Sequence, residues 1–126
     1  MESVPLSTIP EILANPSSHH QQMVRIRGAA VVRFEAHFIC PSPGTFDQGK
    51  SQKGCLTLYG NHNGVPYDLT PLDGKLVEIF GQFDAESFGH MGLYGGAISV
   101  AWSDIHGDHN MPDAPIPPAN PGPSAN

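Results

Sequence analysis

The chain has 126 residues, with 13 prolines and 14 glycines, which limits it to one small domain. Its formal net charge of -6 at pH 7 repels polyphosphate backbones and anionic membranes, and it has no run of the roughly 20 apolar residues that a membrane helix needs. Composition therefore disfavours general nucleic-acid binding and membrane insertion. Hydrophobic residues make up 39% of the chain, enough for one core that needs no metal or cofactor.

The N-terminal segment carries a helix-start signal. Thr8 and Glu11 form a Thr-x-x-Glu capping box, in which each side chain satisfies a free backbone N–H at the start of a helix. Asn15 followed by Pro16 ends the helical pattern shortly afterwards. We expect a short helix that is stable only when it docks on the rest of the protein.

One pattern of alternating apolar residues that ends on a glycine occurs twice, at Val24–Gly28 and at Val77–Gly81. Alternation predicts a strand with one apolar face, and a glycine inside a strand marks a bulge or a sharp bend. The two copies lie in predicted strands over residues 23–34 and 75–83. Two bent strands of this kind favour a small closed barrel.

Shorter patterns predict three further strands, at residues 38–40, 55–59 and 97–102 or slightly longer. The segment 88–96 contains four glycines and is predicted to be a loop. Six prolines between Pro112 and Pro123 predict a disordered or polyproline-like tail. We therefore expect a folded domain over residues 1–107 and a proline-rich disordered tail over residues 108–126.

Five strands with a bent first and fourth member, together with one short helix, are the inventory of an OB-fold. The predicted fold class is all-β (small α+β): a five-stranded OB-fold-like Greek-key barrel with a short N-terminal helix. Several phrases occur in a fixed order within residues 6–104. They are Leu13-Ala14-Asn15-Pro16, His20-x-x-Met23-Val24-x-Ile26-x-Gly28, Leu72-Asp73-Gly74-Lys75-x-Val77-x-Ile79-x-Gly81-x-Phe83-Asp84, Gly89-His90 and Ile98-x-Val100.

These phrases resemble a group of small bacterial OB-fold-like proteins, most of which are exported and of unknown function. The resemblance implies the same barrel and supplies no catalytic residues. In the related pattern a glycine often stands just before the first strand, where this chain has Gln21.

Cys40 and Cys55 fall at the end of the second predicted strand and at the start of the third, which an antiparallel hairpin places side by side. A disulfide there would close a loop of about 16 residues and stabilise the fold by roughly 3 kcal/mol. It would also imply an oxidising compartment, and so a periplasmic or otherwise exported protein whose signal peptide was removed. The alternatives are free thiols in a cytoplasmic protein, or a zinc site that adds His37 and His62.

A second cluster, at Asp104, His106, Asp108 and His109, is interpreted as a solvated linker rather than a weak metal site. No Gly-x-Ser-x-Gly motif occurs, and Ser87 and His90 are close in sequence only within a glycine-rich loop. We therefore expect a protein that is not an enzyme.

OB-folds bind through the face of their second and third strands and through the loops that join strands one to two and four to five. This rule gives a predicted partner-binding set. Its members are Arg33, Glu35, His37, Tyr59, His90, Met91 and Tyr94. Because acidic residues share this region, we expect a binding module for a protein, a peptide or a small ligand.

Two other functions stay open at this point. A single-stranded nucleic-acid binder would use aromatic side chains and a basic groove, formed here by Arg25, Arg27, Arg33, Tyr59 and Tyr94. A metal-dependent enzyme would use the histidine and cysteine clusters.

Overall fold

The computed structural model describes residues 4–33, 36–43, 52–89, 92 and 94–109. The helical elements are α1 (Ile9–Ala14), α2 (Pro16–His19) and a 3-10 helix (Thr70–Leu72). The strands are β1 (Leu6–Ser7), β2 (Met23–Arg33), β3 (Ala36–Cys40), β4 (Gln52–Tyr59), β5 (Asn61–His62), β6 (Val65–Pro66), β7 (Lys75–Asp84) and β8 (Tyr94–Asp108). None of these helices is long and apolar enough to cross a membrane.

Five strands form a closed barrel in the order β2, β3, β4, β8 and β7, and the pairing of β7 with β2 completes the circle. The pairing of β4 with β8 is parallel, while the other four barrel pairings are antiparallel. Closure of this kind leaves no edge along the shared part of the barrel. The predicted all-β, OB-like barrel is confirmed.

The two copies of the glycine signature pair with each other. Val24 lies opposite Gly81, and Gly28 lies opposite Val77. At the centre of the register, Ile26 faces Ile79, and both side chains are fully buried inside the barrel. The repeated pattern therefore marks the two strands that close the barrel.

Both glycines allow a backbone approach that a side chain would prevent. A Cβ added to Gly28 would overlap the carbonyl oxygen of Cys40, and one added to Gly81 would overlap that of Ser99. The register of β7 with β8 also shifts between Phe80 and Gly81, so the predicted bulge is present at the second copy.

Both ends of the barrel are covered by short helices. The predicted capping box is present: the Glu11 N–H donates to Thr8 Oγ1 at 3.1 Å, and the Thr8 N–H donates to Glu11 Oε1 at 2.8 Å. α1 buries Ile9 and Ile12 against β2 and β4, while the 3-10 helix buries Leu72 beside the start of β7. The helix that the capping box predicts is therefore docked, as its short length requires.

Gln21, two residues before β2, adopts a backbone conformation that is usual for glycine. Gln21 has a φ of 63°, in the left-handed region that favours glycine. Its N–H donates to the Phe83 carbonyl oxygen at 2.7 Å, and the Gln22 carbonyl oxygen accepts from the Phe83 N–H at 3.0 Å. These bonds to the end of β7 hold the turn in place although the residue is not glycine.

A second apolar cluster lies outside the barrel, on the outer face of β2, β3 and β4. Its buried members are Ala29, Val31, Phe38, Cys40, Cys55 and Tyr94. The sulfur atoms of Cys40 and Cys55 are 2.06 Å apart, so the predicted pair stands at disulfide distance. This is the arrangement that the disulfide interpretation of the two cysteines predicts.

The last strand differs from its prediction. β8 begins at Tyr94 and is 15 residues long, whereas the sequence predicted a strand over 97–102. Gly95 and Gly96 lie inside it, and a Cβ on Gly96 would be 2.8 Å from the Phe83 ring. These glycines serve close packing rather than a loop, which is why the loop prediction fails over residues 94–96.

The acidic and histidine cluster is also placed differently. In the antiparallel register of β7 and β8, Asp104 lies opposite Glu78 and Asp108 lies opposite Lys75. These residues therefore belong to a strand and not to a linker. A ring nitrogen of His109 lies 2.7 Å from the Ala30 carbonyl oxygen. The folded part thus continues to residue 109, and residues 110–126 of the predicted tail lie outside the described residues.

The approach of β7 to β8 at Gly81 makes a first prediction. We expect Gly81→Ala to lower the free energy of unfolding by about 1–3 kcal/mol, because its Cβ would meet the Ser99 backbone, which cannot move independently of β8. The matched control is Gly54→Ala, since no atom lies within 4 Å of a Cβ at that position. Urea unfolding followed by circular dichroism measures both variants, and equal midpoints would contradict the prediction.

The cysteine pair makes a second prediction. Because the pair closes a segment with a sequence separation of 15, a reductant should lower the free energy of unfolding by about 3 kcal/mol. The double variant Cys40→Ala/Cys55→Ala provides the control, since a reductant should leave its urea midpoint unchanged. A wild-type midpoint that does not respond to reductant, with two thiols counted by a thiol reagent, would rule out this role for the disulfide.

Candidate functional site

The connection from β7 to β8 folds back onto the outer face of β4. The Tyr59 hydroxyl is 2.8 Å from Ser87 Oγ, and Gly89 lies so close to Thr57 that a Cβ there would overlap its hydroxyl. Lys53 Nζ donates to the carbonyl oxygens of Gly92 and Tyr94 at 2.8 and 3.2 Å. The described residues of the connection therefore lie over part of the surface on which OB-folds bind.

Tyr94 lies beneath that surface. Its residue is 5% exposed, and its ring stacks on Phe38 with 5.5 Å between the centroids and 29° between the planes. Burial raises the pKa of the Tyr94 hydroxyl because it disfavours the phenolate. The sequence placed Tyr94 among the contact residues, but its ring belongs to the second apolar cluster and holds the connection to the barrel.

Two aromatic side chains stay exposed at the rim of the covered surface. Tyr59 is 42% exposed and Phe88 is 44% exposed. Lys53 Nζ lies 4.9 Å from the centroid of the Phe88 ring, a cation–π contact that orients the ring. We call Lys53, Tyr59 and Phe88 the loop face.

The other predicted contact residues are not gathered there. Arg33 Nε lies 3.3 Å from Asp73 Oδ1, at the opposite end of the barrel from α1. His37 is exposed, but by strand alternation it faces away from Phe38 and the second apolar cluster. The remaining three members, Glu35, His90 and Met91, lie outside the described residues.

Sequence reasoning missed Phe88 and Lys53 as members of this face. The sequence predicts a glycine-rich loop that begins at Phe88, and it assigns Lys53 to no site. The available signal was Phe88 itself, a large apolar side chain next to Gly89 in a loop that this fold uses for binding.

Thr57 is a buried polar residue under the same connection. It is 7% exposed, and its hydroxyl oxygen has no hydrogen-bond partner within the part of the chain that the structure describes. Gly89, whose φ is 71°, passes directly over it. Only glycine fits there, so the conformation of the connection depends on this residue.

Two of the three arginines of the nucleic-acid alternative share one carboxylate. Arg25 Nε donates to Glu78 Oε2 at 2.6 Å, and Arg27 Nε donates to Glu78 Oε1 at 2.9 Å. Arg25 also donates to the Val4 carbonyl oxygen at 2.9 Å. The Glu78 side chain is 8% exposed, and the hydrogen bond from Arg25, followed by that from Arg27, lowers its pKa despite the opposing effect of burial. The two cations therefore serve the outer face of β2 and β7 and do not form an open basic groove.

Among the residues with described positions, no three histidine, cysteine, aspartate or glutamate side chains are grouped so that they could hold a metal ion.

No protein-family model matches the chain, and no curated protein sequence matches it. Among solved structures, the chain resembles part of a protein assigned as an aspartyl-tRNA synthetase from Leishmania major Friedlin. The TM-score is 0.53 at 11% sequence identity, and the match covers 88% of this chain but 22% of that chain. At this identity the likeness concerns the fold alone.

The buried carboxylate makes a third prediction. Glu78→Gln should lower the free energy of unfolding at pH 7 by about 1.5–3 kcal/mol, because both hydrogen bonds from arginine lose their charged acceptor. The pKa of Glu78 is lowered from 4.5 in the folded state, so its contribution is present above pH 4.5. It is lost as the pH falls through the folded pKa, where wild type and variant should converge.

Urea unfolding between pH 7 and pH 3 measures this difference. The control is Glu86→Gln, which changes an exposed carboxylate on the connection and should alter the stability by less than about 0.5 kcal/mol. A Glu78→Gln deficit that persists unchanged at the lowest pH would show that shape, and not charge, accounts for it.

Proposed function

We propose that this protein is a non-enzymatic OB-type binding module that contacts another protein through its loop face. One observation carries the proposal: Tyr59 and Phe88 are large, exposed aromatic side chains that are nevertheless held in place, by Ser87 and by Lys53. Aromatic residues that lose little conformational freedom on association are the usual energetic centre of a protein interface.

The interior of the barrel favours an external contact. Fifteen buried residues fill it, among them Ile26, Phe83 and Ile98, which are all fully buried. A small ligand would therefore have to bind on the outside. A small molecule needs a concave pocket. Of the partners that the sequence left open, a protein or a peptide therefore suits the exposed side chains of the loop face better.

An exported location agrees with the cysteine pair. Cys40 and Cys55 are both fully buried and stand at disulfide distance. Disulfides persist in oxidising compartments and are rare in the cytosol. We therefore place the proposed partner among envelope or secreted proteins.

The nucleic-acid alternative has one point in its favour, the fold shared with part of a protein assigned as a tRNA synthetase. Against it stands the charge. Arg25 and Arg27 are paired with Glu78, Arg33 is paired with Asp73, and the chain carries a net charge of -6. A polyanion would meet few unpaired cations, and phosphate contacts supply most of the affinity in such complexes.

Site-specific photo-crosslinking tests the proposal. Phe88 is replaced by benzoylphenylalanine, and Leu6, which is 43% exposed on β1, is replaced in the control bait. With the envelope and secreted proteins of the source organism, the Phe88 bait should crosslink a discrete protein that the Leu6 bait does not. Excess wild-type protein should abolish the product, and Tyr59→Ala protein should compete about tenfold less well.

Identical products from both baits, or products that wild-type protein does not displace, would contradict a loop-face interface. A parallel titration of labelled single-stranded oligonucleotides at low salt separates the alternative. Binding with a dissociation constant below about 10 μM under those conditions would favour nucleic acid.

A further inference from the structure

The second half of β8 has one partner strand where the first half has two. β4 pairs with β8 as far as Tyr59 opposite Ser99, whereas β7 continues to pair as far as Lys75 opposite Asp108. In an antiparallel pair, alternate residues direct their N–H and C=O groups away from the partner strand. Within the described part of the chain, no strand pairs with β8 on the side away from β7 beyond Ser99. We call Asp104–Asp108 the β8 edge.

A groove lies beside this edge. It has a volume of about 500 Å³ and is open to solvent on one side. Its lining residues are Tyr67, Asp68, Pro71, Leu72, Ser103, Asp104 and Ile105. The hydroxyl groups of two of these lining residues, Tyr67 and Ser103, are hydrogen-bonded to each other.

The residues that line the groove include an apolar group and an acidic group. Leu72 is buried and Ile105 is 46% exposed, and together with Pro71 they give the groove an apolar wall. The two charged residues that line it, Asp68 and Asp104, are both exposed and both acidic, and Asp104 Oδ2 lies 3.4 Å from His106 Nε2. The Thr70 N–H donates to the Asp68 carboxylate at 3.0 Å, and this hydrogen bond lowers the pKa of Asp68 because it favours the ionised form.

We infer that the β8 edge and its groove bind an extended peptide segment of a partner protein, with alternating basic and apolar side chains, as an added strand. The free backbone groups of Asp104–Asp108 would supply the main-chain hydrogen bonds. Every second side chain of the peptide would enter the apolar groove, and its basic residues would meet Asp68 and Asp104. This surface is separate from the loop face, so either proposal can fail without the other.

Charge selects this occupant over a second copy of the same chain. A second copy would bring its own Asp104 to the edge of the first, and two chains that each carry a charge of -6 repel each other. Like charges opposite each other also destabilise a strand pair. A cationic segment removes both costs.

A synthetic probe tests the inference. The peptide is an N-acetylated, C-amidated heptapeptide of alternating lysine and valine, and its affinity is measured by calorimetry on the full chain. The variant Ile105→Lys removes part of the apolar wall and adds a positive charge at the edge, so it should weaken binding about tenfold or more. The matched control is Leu6→Lys, with the same change of charge at a side chain of equal exposure on β1.

Backbone pairing is tested separately from charge. N-methylation of every valine should abolish binding, because these residues then lose their amide donors, and the amides of residues 104–108 should gain protection from hydrogen exchange only with the unmethylated peptide. The inference is overturned if the methylated peptide binds equally well, if both lysine variants weaken binding equally, or if the probe does not bind. It is also overturned if sedimentation shows a dimer that Ile105→Lys dissociates, since the occupant is then a second copy.

Discussion

The pairing of β2 with β7 is the constraint on which the rest of the structure depends. It closes the barrel, and its register sets Ile26 against Ile79 in the core. By strand alternation the same register brings Arg27 opposite Glu78 on the outside. A shift of one residue would exchange the two faces and bury charge without a partner. Gly28 and Gly81 are the points at which β2 and β7 approach their other neighbours, β3 and β8. A side chain at either position would overlap the neighbouring backbone, so both glycines are needed for this arrangement of strands.

The second apolar cluster packs on the outer face of the closed barrel. The cysteine pair ties the end of β3 to the start of β4, and the Phe38 ring beside it accepts the Tyr94 ring from β8. The connection between β7 and β8 is thus anchored at Tyr94 and at Ser87, and it can present Phe88 in one orientation. The covered surface therefore positions the residues at its rim. Rigidity at that rim is what makes an exposed aromatic side chain useful for binding, since little entropy remains to be lost.

The sequence was sufficient for the features that rest on local periodicity or on a single steric demand. The capping box of α1 and the two bent strands follow from spacing alone, and spacing also placed the two cysteines side by side while leaving their chemistry open. It was insufficient where the same residue type occurs both in loops and in closely packed strands. Gly95 and Gly96 look like loop residues, yet they lie in β8, where Gly96 approaches the Phe83 ring. Tyr94 looked like a contact residue because loop position, not burial, was the only information available. Glu78 is polar in the sequence, and only the tertiary register shows that two arginines share it.

β8 is 15 residues long and extends beyond its pairing with β4. A strand that is longer than one of its neighbours leaves backbone N–H and C=O groups unpaired, and these groups can pair with another chain. Charged side chains on such an edge are the usual protection, and Asp104 is one of them here, whereas the Asp108 carboxylate is bound by Lys75 of β7 at 2.5 Å. Protection by one sign of charge is selective, however, because it repels copies of an acidic chain and attracts a cationic strand. Under our proposal, the acidic charge that disfavours pairing between two copies of the chain also favours a cationic partner strand at this edge.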